Sequence, residues 1–156
     1  MKVSVLIISY KRAKYLRNAI GSLSKQTIKP DEVIVVLKPS NDGSEEVIKE
    51  FSDRLSIKLL IQEGVGPIDA YTKGIKNASG EILLFLDDDA IAEPDWVKKY
   101  IQLFNENPNV GGITGLALKA ELVNDSVILK DELFYEDSYK ESHAIGIHRY
   151  RLEILN

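Results

Sequence analysis

The sequence predicts an α/β protein with a mainly parallel β-sheet and helices on both faces of the sheet. Short apolar runs alternate with segments of helical periodicity along the first two thirds of the chain. The first two runs are mostly apolar, which is typical of parallel strands buried on both faces. The chain has 156 residues, of which 44% are hydrophobic and 28% charged, and this composition suits one folded domain with its own core.

Five runs have the length and composition of strands. The first is Val-Ser-Val-Leu-Ile-Ile, and the second, Glu-Val-Ile-Val-Val-Leu, follows a Pro-Asp pair. The predicted strands are residues 3–8, 32–37, 57–61, 81–86 and 110–118. Because a helix is predicted between each pair of neighbours, the order implies parallel strands joined by crossover helices.

The first two helices are predicted from the positions of their apolar residues. In the first, apolar residues recur at i, i+3, i+4 and i+7, and they are Leu16, Ala19, Ile20 and Leu23. We expect Ser44 to cap the second helix, with two glutamates in the first turn, where they favour the helix dipole. The predicted buried residues of this helix are Val47, Ile48, Phe51 and Leu55.

The third helix is expected after the Gly-Val-Gly-Pro turn at residues 64–67 and before Asn-Ala-Ser-Gly at 77–80. Its predicted inward residues are Ile68, Tyr71 and Ile75. Pro94 suits the first turn of the fourth helix. The apolar face of that helix is predicted to contain Trp96 or Val97, Tyr100, Ile101 and Phe104. Trp96 and Tyr100 could stack a sugar, but their helical spacing favours core packing.

The pattern changes after about residue 118. Residues 124–141 are polar and acidic without a clear period, whereas residues 149–154 alternate in the manner of a strand with one exposed face. We see neither an internal repeat nor a low-complexity linker. We therefore expect a core at residues 1–118 and an extension of the same domain at residues 119–156.

Composition excludes several classes of function. The chain has no Cys, which rules out disulfides, thiolate metal sites and cysteine nucleophiles. Its net charge of −4 argues against a general nucleic-acid partner. No apolar run approaches the roughly 18–20 residues that a membrane span needs. The sequence also contains no P-loop and no nucleophile elbow.

Three consecutive aspartates, residues 87–89, follow the fourth predicted strand. In parallel sheets the ligand lies beyond the carboxyl ends of the strands, so the loops at 9–14, 38–44, 63–67 and 87–93 should share one site. On extended backbone Asp87 and Asp89 would project to the same side. Hard oxygen ligands of this kind suit Mg²⁺ or Mn²⁺. The alternative is a solvated acidic loop.

An ordered set of segments resembles the family 2 glycosyltransferases, which have a Rossmann-like GT-A fold. The opening strand and its loop, Ser4-Val-Leu-Ile-Ile-Ser-Tyr-Lys-Arg12, begin the resemblance, and Gly-Glu-Ile-Leu-Leu-Phe-Leu-Asp-Asp-Asp carries its strongest motif. Between and after them, residues 22–27, 32–36, 66–75 and 94–97 also match in the family's order. The resemblance covers about residues 1–118.

The resemblance implies transfer of a sugar from a nucleoside-diphosphate sugar, through a UDP or GDP donor, to a saccharide or lipid-linked acceptor. Asp89 would be the main ligand of a divalent metal, Mg²⁺ or Mn²⁺, with Asp87 and Asp88 assisting. The first strand's loop would lie near the base and ribose, and the aspartates near the ribose and phosphate. The implied nucleotide-sugar-binding residues are Ser9, Tyr10, Arg12, Lys38, Gly66, Pro67, Asp87 and Asp88.

Two segments depart from the family's pattern. Leu37 and Lys38 stand where the family usually has the acidic residues that recognise the base. Lys38 either meets a phosphate or is a solvated lysine. In the third helix, Tyr71-Thr72 replaces a frequent Arg-Asn, and Asp69 adds a carboxylate without an evident partner.

The catalytic base of an inverting transfer is not assigned. Glu136-Asp137 is interpreted as part of a polar loop, and His143 and His148 as surface histidines. We expect a cytoplasmic location, with any membrane association supplied by sequence beyond Asn156.

Two alternative functions remain: a non-catalytic nucleotide- or partner-binding domain that keeps the fold, and a nucleotidyltransferase. The second lacks the expected glycine in the loop after the first strand. Since whole enzymes of the family are usually longer, the chain is interpreted as a shortened piece or a reduced relative.

Overall fold

The computed structural model of the chain describes residues 1–123, 126–133 and 145–155. The helices in these ranges are α1 (Ala13–Ser24), α2 (Ser44–Glu50), α3 (Pro67–Asn77) and α4 (Trp96–Glu106). The strands are β1 (Val3–Ser9), β2 (Glu32–Leu37), β3 (Ile57–Ile61), β4 (Ile82–Phe85), β5 (Ala90–Ala92), β6 (Gly112–Val123), β7 (Ser126–Leu133) and β8 (Ile145–Leu155). No helix in these ranges is long and apolar enough to cross a membrane.

Four strands form a parallel sheet in the order β3-β2-β1-β4. Its register pairs Ser9 with Leu37, and Leu37 with Ile61, so three neighbouring strands end level with one another. The first four predicted strands are therefore confirmed. The loops that follow them lie at one edge of the sheet, as the parallel arrangement requires.

Helices cover both faces of this sheet, which confirms the predicted fold class. Successive side chains of β1 point to opposite faces. Val5 and Ile7 pack in the larger core with α1 and α4, whereas Leu6 packs with β2 and α3 on the other face. The predicted inward face of α1 is buried throughout: Leu16, Ala19, Ile20 and Leu23.

The predicted inward face of α3 is wrong in part. Ile68 is 80% exposed and Ile75 is 49% exposed, whereas Ala70 and Gly74 are buried. A Cβ added at Gly74 would lie 2.3 Å from Leu6 Cδ1. Small residues thus let α3 approach β1 closely, and the larger side chains are displaced from the contact. A prediction that follows only the large apolar residues selects the wrong side of such a helix.

The start of α2 also differs from the prediction. Ser44 is the first residue of the helix, after Gly43 with a φ of 89°, and its side chain makes no capping hydrogen bond. Instead, Asp42 Oδ1 accepts hydrogen bonds from the backbone nitrogen and the hydroxyl of Ser44, at 3.3 and 2.8 Å. Asp42 Oδ2 accepts another from the backbone of Ala13, so one carboxylate links the starts of α1 and α2.

Hydrogen bonding lowers the pKa of Asp42. Burial raises the pKa of its carboxyl, but hydrogen bonds from Ser44, Ser40 and the backbone of Ala13 outweigh that effect. The net result is a pKa below the ordinary value.

Helix α4 begins two residues later than Pro94, at Trp96, whose backbone nitrogen donates to Glu93 O at 2.9 Å. Trp96 and Tyr100 are both buried, with their rings edge to face at 5.4 Å between centroids. They pack in the core, as their spacing predicts.

The fifth predicted strand lies in a second sheet, with the order β5-β8-β6-β7. It is β6, which pairs antiparallel with both β7 and β8. The short β5 was not predicted, and β7 lies in the segment where the sequence shows no clear period. Strand β8 contains residues 149–154, as predicted. Glu136, Asp137 and His143 lie outside the described residues.

Candidate functional site

A cavity of about 600 Å³ lies at the carboxyl ends of the parallel strands. Ser9 ends β1, Lys38 follows β2, and Asp87–Asp89 follow β4. The residues that the sequence suggested for nucleotide-sugar and metal binding all line this cavity: Ser9, Tyr10, Arg12, Lys38, Gly66, Pro67, Asp87, Asp88 and Asp89. Its wall also contains Ile8, Gln62, Val65, Ala70 and Tyr71.

The aspartate segment turns rather than extends. The last β-type hydrogen bond to β1 is from Leu86 N to Leu6 O, at 3.1 Å. Ala90 N then donates to Asp87 O at 3.0 Å, which closes a turn that contains Asp88 and Asp89. The expectation that Asp87 and Asp89 project together from extended backbone was therefore based on the wrong local conformation.

Asp88 is the most buried of the three carboxylates, at 7% exposure. Its Oδ2 accepts a hydrogen bond from Ser9 Oγ at 2.7 Å, and its Oδ1 accepts one from Arg12 Nη1 at 3.2 Å. Burial raises the pKa of Asp88 and the charge of Asp89 adds to this, so the pKa stays above the ordinary value despite Ser9 and Arg12. The fold thus holds this carboxylate in a fixed position.

Arg12 joins two of the three aspartates. The same Nη1 atom lies 2.7 Å from Asp89 Oδ2, and the Arg12 side chain is 49% exposed. Partial burial lowers the pKa of Arg12, but Asp88 and Asp89 outweigh it and raise the pKa above the ordinary value. The sequence analysis did not predict this pairing. The available signal was an arginine in a loop that should face three carboxylates.

The backbone before Arg12 takes an unusual conformation. Lys11 has a φ of 56°, in the left-handed region that few non-glycine residues adopt. It separates the end of β1 from the start of α1 and coincides with the change in chain direction there. The guanidinium therefore reaches the aspartates from a sharply bent loop.

The other end of the cavity is held by two polar side chains. Lys38 Nζ donates a hydrogen bond to Gly64 O at 2.9 Å, so Lys38 is not simply a solvated lysine. Gln62 is 8% exposed, and its Nε2 donates to Gly66 O at 2.8 Å. Both bonds fasten the loop between β3 and α3. Gln62 was not predicted, although a polar residue directly after a predicted strand was a usable signal.

The loop between β3 and α3 also explains Asp69. A Cβ added at Gly64 would lie 2.3 Å from Asp69 Cγ, so the carboxyl packs directly against the backbone of Gly64. Gly66 has a φ of 82°, which favours glycine, and Pro67 begins the helix. The loop is thereby shaped by its own glycines and by the first turn of α3.

Tyr71, in α3, lines the cavity together with the aspartates. Its ring meets that of Phe85 edge to face, at 5.9 Å between centroids. Burial raises the pKa of the Tyr71 hydroxyl, and the charges of Asp87 and Asp88 raise it further. A tyrosine hydroxyl can donate a hydrogen bond as well as accept one.

The oxygen atoms of the aspartate segment fit a hard divalent cation in kind. Within the described ranges, no three His, Cys, Asp or Glu side chains are arranged as a preformed metal site. Such an arrangement is not required, because Mg²⁺ is often held by one or two carboxylates together with substrate phosphates. Asp87 and Asp89 can provide that number of ligands beside the cavity.

Comparison with known proteins finds a matching family and related sequences over most of the chain. The sequence pattern described as glycosyl transferase family 2 matches residues 4–139. A glucosyl-dolichyl phosphate glucuronosyltransferase from Haloferax volcanii is 30% identical over 142 residues, which are 89% of this chain and 44% of that protein.

Solved glycosyltransferase structures have a fold similar to that of this chain. S. aureus TarS in complex with UDP-GlcNAc has a TM-score of 0.65 at 27% identity, over 83% of this chain and 37% of that chain. A mannosyltransferase from Pyrobaculum calidifontis in complex with GDP-Man and Mn²⁺ has a TM-score of 0.61 at 22% identity, over 74% of this chain and 34% of that chain. This chain spans less than half the length of each of these proteins.

Proposed function

The chain belongs to glycosyl transferase family 2 and has its GT-A fold, and we propose that it is the donor-binding part of a metal-dependent, inverting glycosyltransferase. The reaction is the transfer of a sugar from a nucleoside-diphosphate sugar to an acceptor hydroxyl. Residues 1–118 form the donor-binding core, and residues 119–156 extend the same domain toward the acceptor.

One observation supports this proposal most strongly: a single cavity crosses the ends of all four parallel strands. Neighbouring strands lie about 4.8 Å apart, so the ends of β3 and β4 are separated by roughly 14 Å. That length suits a nucleoside diphosphate laid along the edge of the sheet. The aspartates lie at one end of the cavity, and the loop held by Lys38 and Gln62 lies at the other.

The end of the cavity near β2 and β3 suits a base that carries a ring carbonyl. Lys38 has donors left beyond its bond to Gly64 O, and the Gln62 amide has an oxygen that accepts hydrogen bonds. Uracil and guanine both present a carbonyl oxygen beside a ring N–H. The donor is therefore a UDP- or GDP-sugar, in agreement with the UDP-GlcNAc bound to S. aureus TarS.

The phosphates lie toward β4. Asp89, with Asp87, would hold Mg²⁺ or Mn²⁺, and Asp88 is kept in place by Ser9. When bound, the cation supplies stabilisation of the negative charge that develops on the departing nucleoside diphosphate. The Tyr71 hydroxyl and the Ser9-Tyr10 backbone line the path between base and phosphate.

The acceptor is a hydroxyl of a saccharide or of a lipid-linked sugar. The name of the Haloferax volcanii relative, a glucosyl-dolichyl phosphate glucuronosyltransferase, supports the lipid-linked class. The group that takes the proton from this hydroxyl is not assigned to any residue.

Calorimetry with UDP- and GDP-sugars in the presence of Mn²⁺ tests the donor site. We expect Asp89→Ala to abolish metal-dependent donor binding, while Asp53→Ala, a change at an exposed carboxylate outside the cavity, leaves it intact. Unchanged donor affinity in Asp89→Ala would contradict the assignment of Asp89 as a metal ligand.

Donor binding without any release of nucleoside diphosphate would favour the non-catalytic binding domain. Pyrophosphate formed from a nucleoside triphosphate and a sugar phosphate would favour a nucleotidyltransferase.

A further inference from the structure

Arg12 is the only residue that the structure pairs with the aspartate segment by a salt bridge within the described ranges. We propose that Arg12 neutralises this segment in the free chain and exchanges Asp89 for the donor's diphosphate when donor and cation bind. This inference rests on the proposed function, since it concerns the same cavity and the same cation.

The geometry gives the two aspartates different parts in the exchange. Asp88 is buried and bound by Ser9 Oγ as well as by Arg12, so it keeps a partner when the arginine leaves. Asp89 is more exposed, with a side chain 36% accessible, and its salt bridge is to Arg12. Asp89 is thus the carboxylate that can be transferred from a guanidinium to a cation.

A guanidinium and a divalent cation compete for the same carboxylate oxygens. Both are positive, and at a separation of a few ångströms they repel each other. A cation bound to Asp89 Oδ2 therefore requires that Arg12 Nη1, at 2.7 Å from that atom, moves away. Binding of the metal alone has to work against the salt bridge.

The diphosphate offers Arg12 a new partner inside the same cavity. The Arg12 side chain is half exposed and lines the cavity together with the aspartates, so it can move without leaving the site. The planar fork of an arginine suits two phosphate oxygens, and such charge-assisted bonds are among the stronger hydrogen bonds in proteins. The arginine then stabilises negative charge on the nucleotide rather than on the protein.

This exchange predicts effects of opposite sign for one substitution. Removal of the guanidinium frees Asp89, so Arg12→Ala and Arg12→Gln should bind Mn²⁺ alone more tightly than the unmodified chain, by about threefold to tenfold. The same variants should bind UDP in the presence of Mn²⁺ about tenfold more weakly, because a phosphate contact is lost. Arg12→Lys keeps the positive charge but lacks the planar fork of arginine. Its affinities for Mn²⁺ and for UDP should both lie between those of the unmodified chain and those of Arg12→Gln.

Electron paramagnetic resonance of free Mn²⁺ measures the first affinity, and calorimetry with UDP and Mn²⁺ measures the second. Arg17→Ala is the matched control, because Arg17 forms an equally short 2.7 Å salt bridge with Glu50 outside the cavity. Thermal unfolding of each variant verifies that the fold is retained, and the exposed position of Arg12 makes its loss tolerable.

The two measurements distinguish a failure of the exchange from a failure of the proposed function. Tighter binding of Mn²⁺ alone together with weaker binding of UDP supports the exchange. If the unmodified chain binds UDP with Mn²⁺ but Arg12→Gln changes neither affinity, or weakens both, the exchange is wrong and the donor site stands. If the unmodified chain binds no UDP at all, the proposed function fails and the exchange fails with it.

Discussion

Ser9 and Asp88 lie 79 positions apart in the sequence, yet Ser9 Oγ donates a 2.7 Å hydrogen bond to Asp88 Oδ2 inside the protein. The bond connects the end of β1 with the turn after β4. It holds a buried carboxylate at the wall of the cavity and thereby links the stability of the fold to the shape of the candidate donor site.

Replacement of Ser9 by Ala should destabilise the protein. It leaves a buried carboxylate oxygen without its hydroxyl donor, which typically costs about 1–3 kcal/mol of the free energy of unfolding. Urea unfolding without ligand measures the change. Ser24→Ala is the control, because Ser24 Oγ bonds within its own helix, to Gly21 O. Equal stability of the two variants would contradict the role of the Ser9 bond.

Gly74→Ala should be destabilising although alanine is the better helix former. The new methyl group would lie 2.3 Å from Leu6 Cδ1, so the buried Leu6 has to move, at a cost of about 1–3 kcal/mol. Gly21→Ala in α1 is the matched control, since its Cβ would lie 3.7 Å from Phe51, an ordinary contact. We expect that variant to gain up to about 1 kcal/mol. Thermal or urea unfolding compares them, and a stabilised Gly74→Ala would contradict the close approach of α3 to β1.

Glu32→Gln should lower stability at neutral pH and have little effect in acid. Burial raises the pKa of Glu32, but hydrogen bonds from the Ser4 hydroxyl and from Ser79 outweigh it and hold the pKa below the ordinary 4.5. A carboxyl with a lowered folded-state pKa stabilises the protein above its unfolded pKa, and this contribution is lost as the pH falls through the folded pKa.

The measurement for Glu32 is urea unfolding at pH 7 and at pH 3. The difference between the natural chain and Glu32→Gln should be about 1 kcal/mol at pH 7 and should shrink at pH 3. Glu106→Gln, at the exposed end of α4, serves as the control. A difference that stays constant or grows in acid would show that ionised Glu32 does not stabilise the fold.

Lys38→Met should weaken nucleotide binding. The change removes the bond to Gly64 O and the ammonium that faces the cavity, so we expect UDP affinity in the presence of Mn²⁺ to fall about tenfold. Lys58→Met is the control, because Lys58 also donates to a backbone carbonyl, Asn77 O, but lies outside the cavity. Calorimetry compares the two, and equal UDP affinities would remove Lys38 from the site.

The parallel sheet was largely predictable. The predicted bounds of β2 and β3 are those of the structure, Glu32–Leu37 and Ile57–Ile61. After Glu32 the β2 run is continuously apolar and buried, which makes such a run distinct. Strand β3, at the edge of the sheet, contains Lys58 and is partly exposed. The buried face of α1 was predictable for a similar reason, since its large apolar residues are the ones in contact with the sheet.

Helix α3 and the second sheet were less predictable. The inward face of α3 depends on Ala70 and Gly74, whose small side chains give a weak signal of burial. Strand β7 pairs antiparallel with β6, so it does not need the continuous apolar run that marks a buried parallel strand. The spacing of large apolar residues therefore does not predict these elements, because close contact between backbones determines their packing rather than the size of the side chains.

By itself the sequence determined the order of strands and helices, and with it the set of loops that meet at one edge of the sheet. That result follows from periodicity, which is a property of each segment alone. Only the tertiary structure decided that Arg12 reaches Asp88 and Asp89, and that Gln62 and Lys38 hold the opposite loop. The reason is physical: a pairing across 77 positions depends on the bend at Lys11, the turn at Asp88 and the spacing of about 4.8 Å between the neighbouring strands β1 and β4. No local pattern encodes these together.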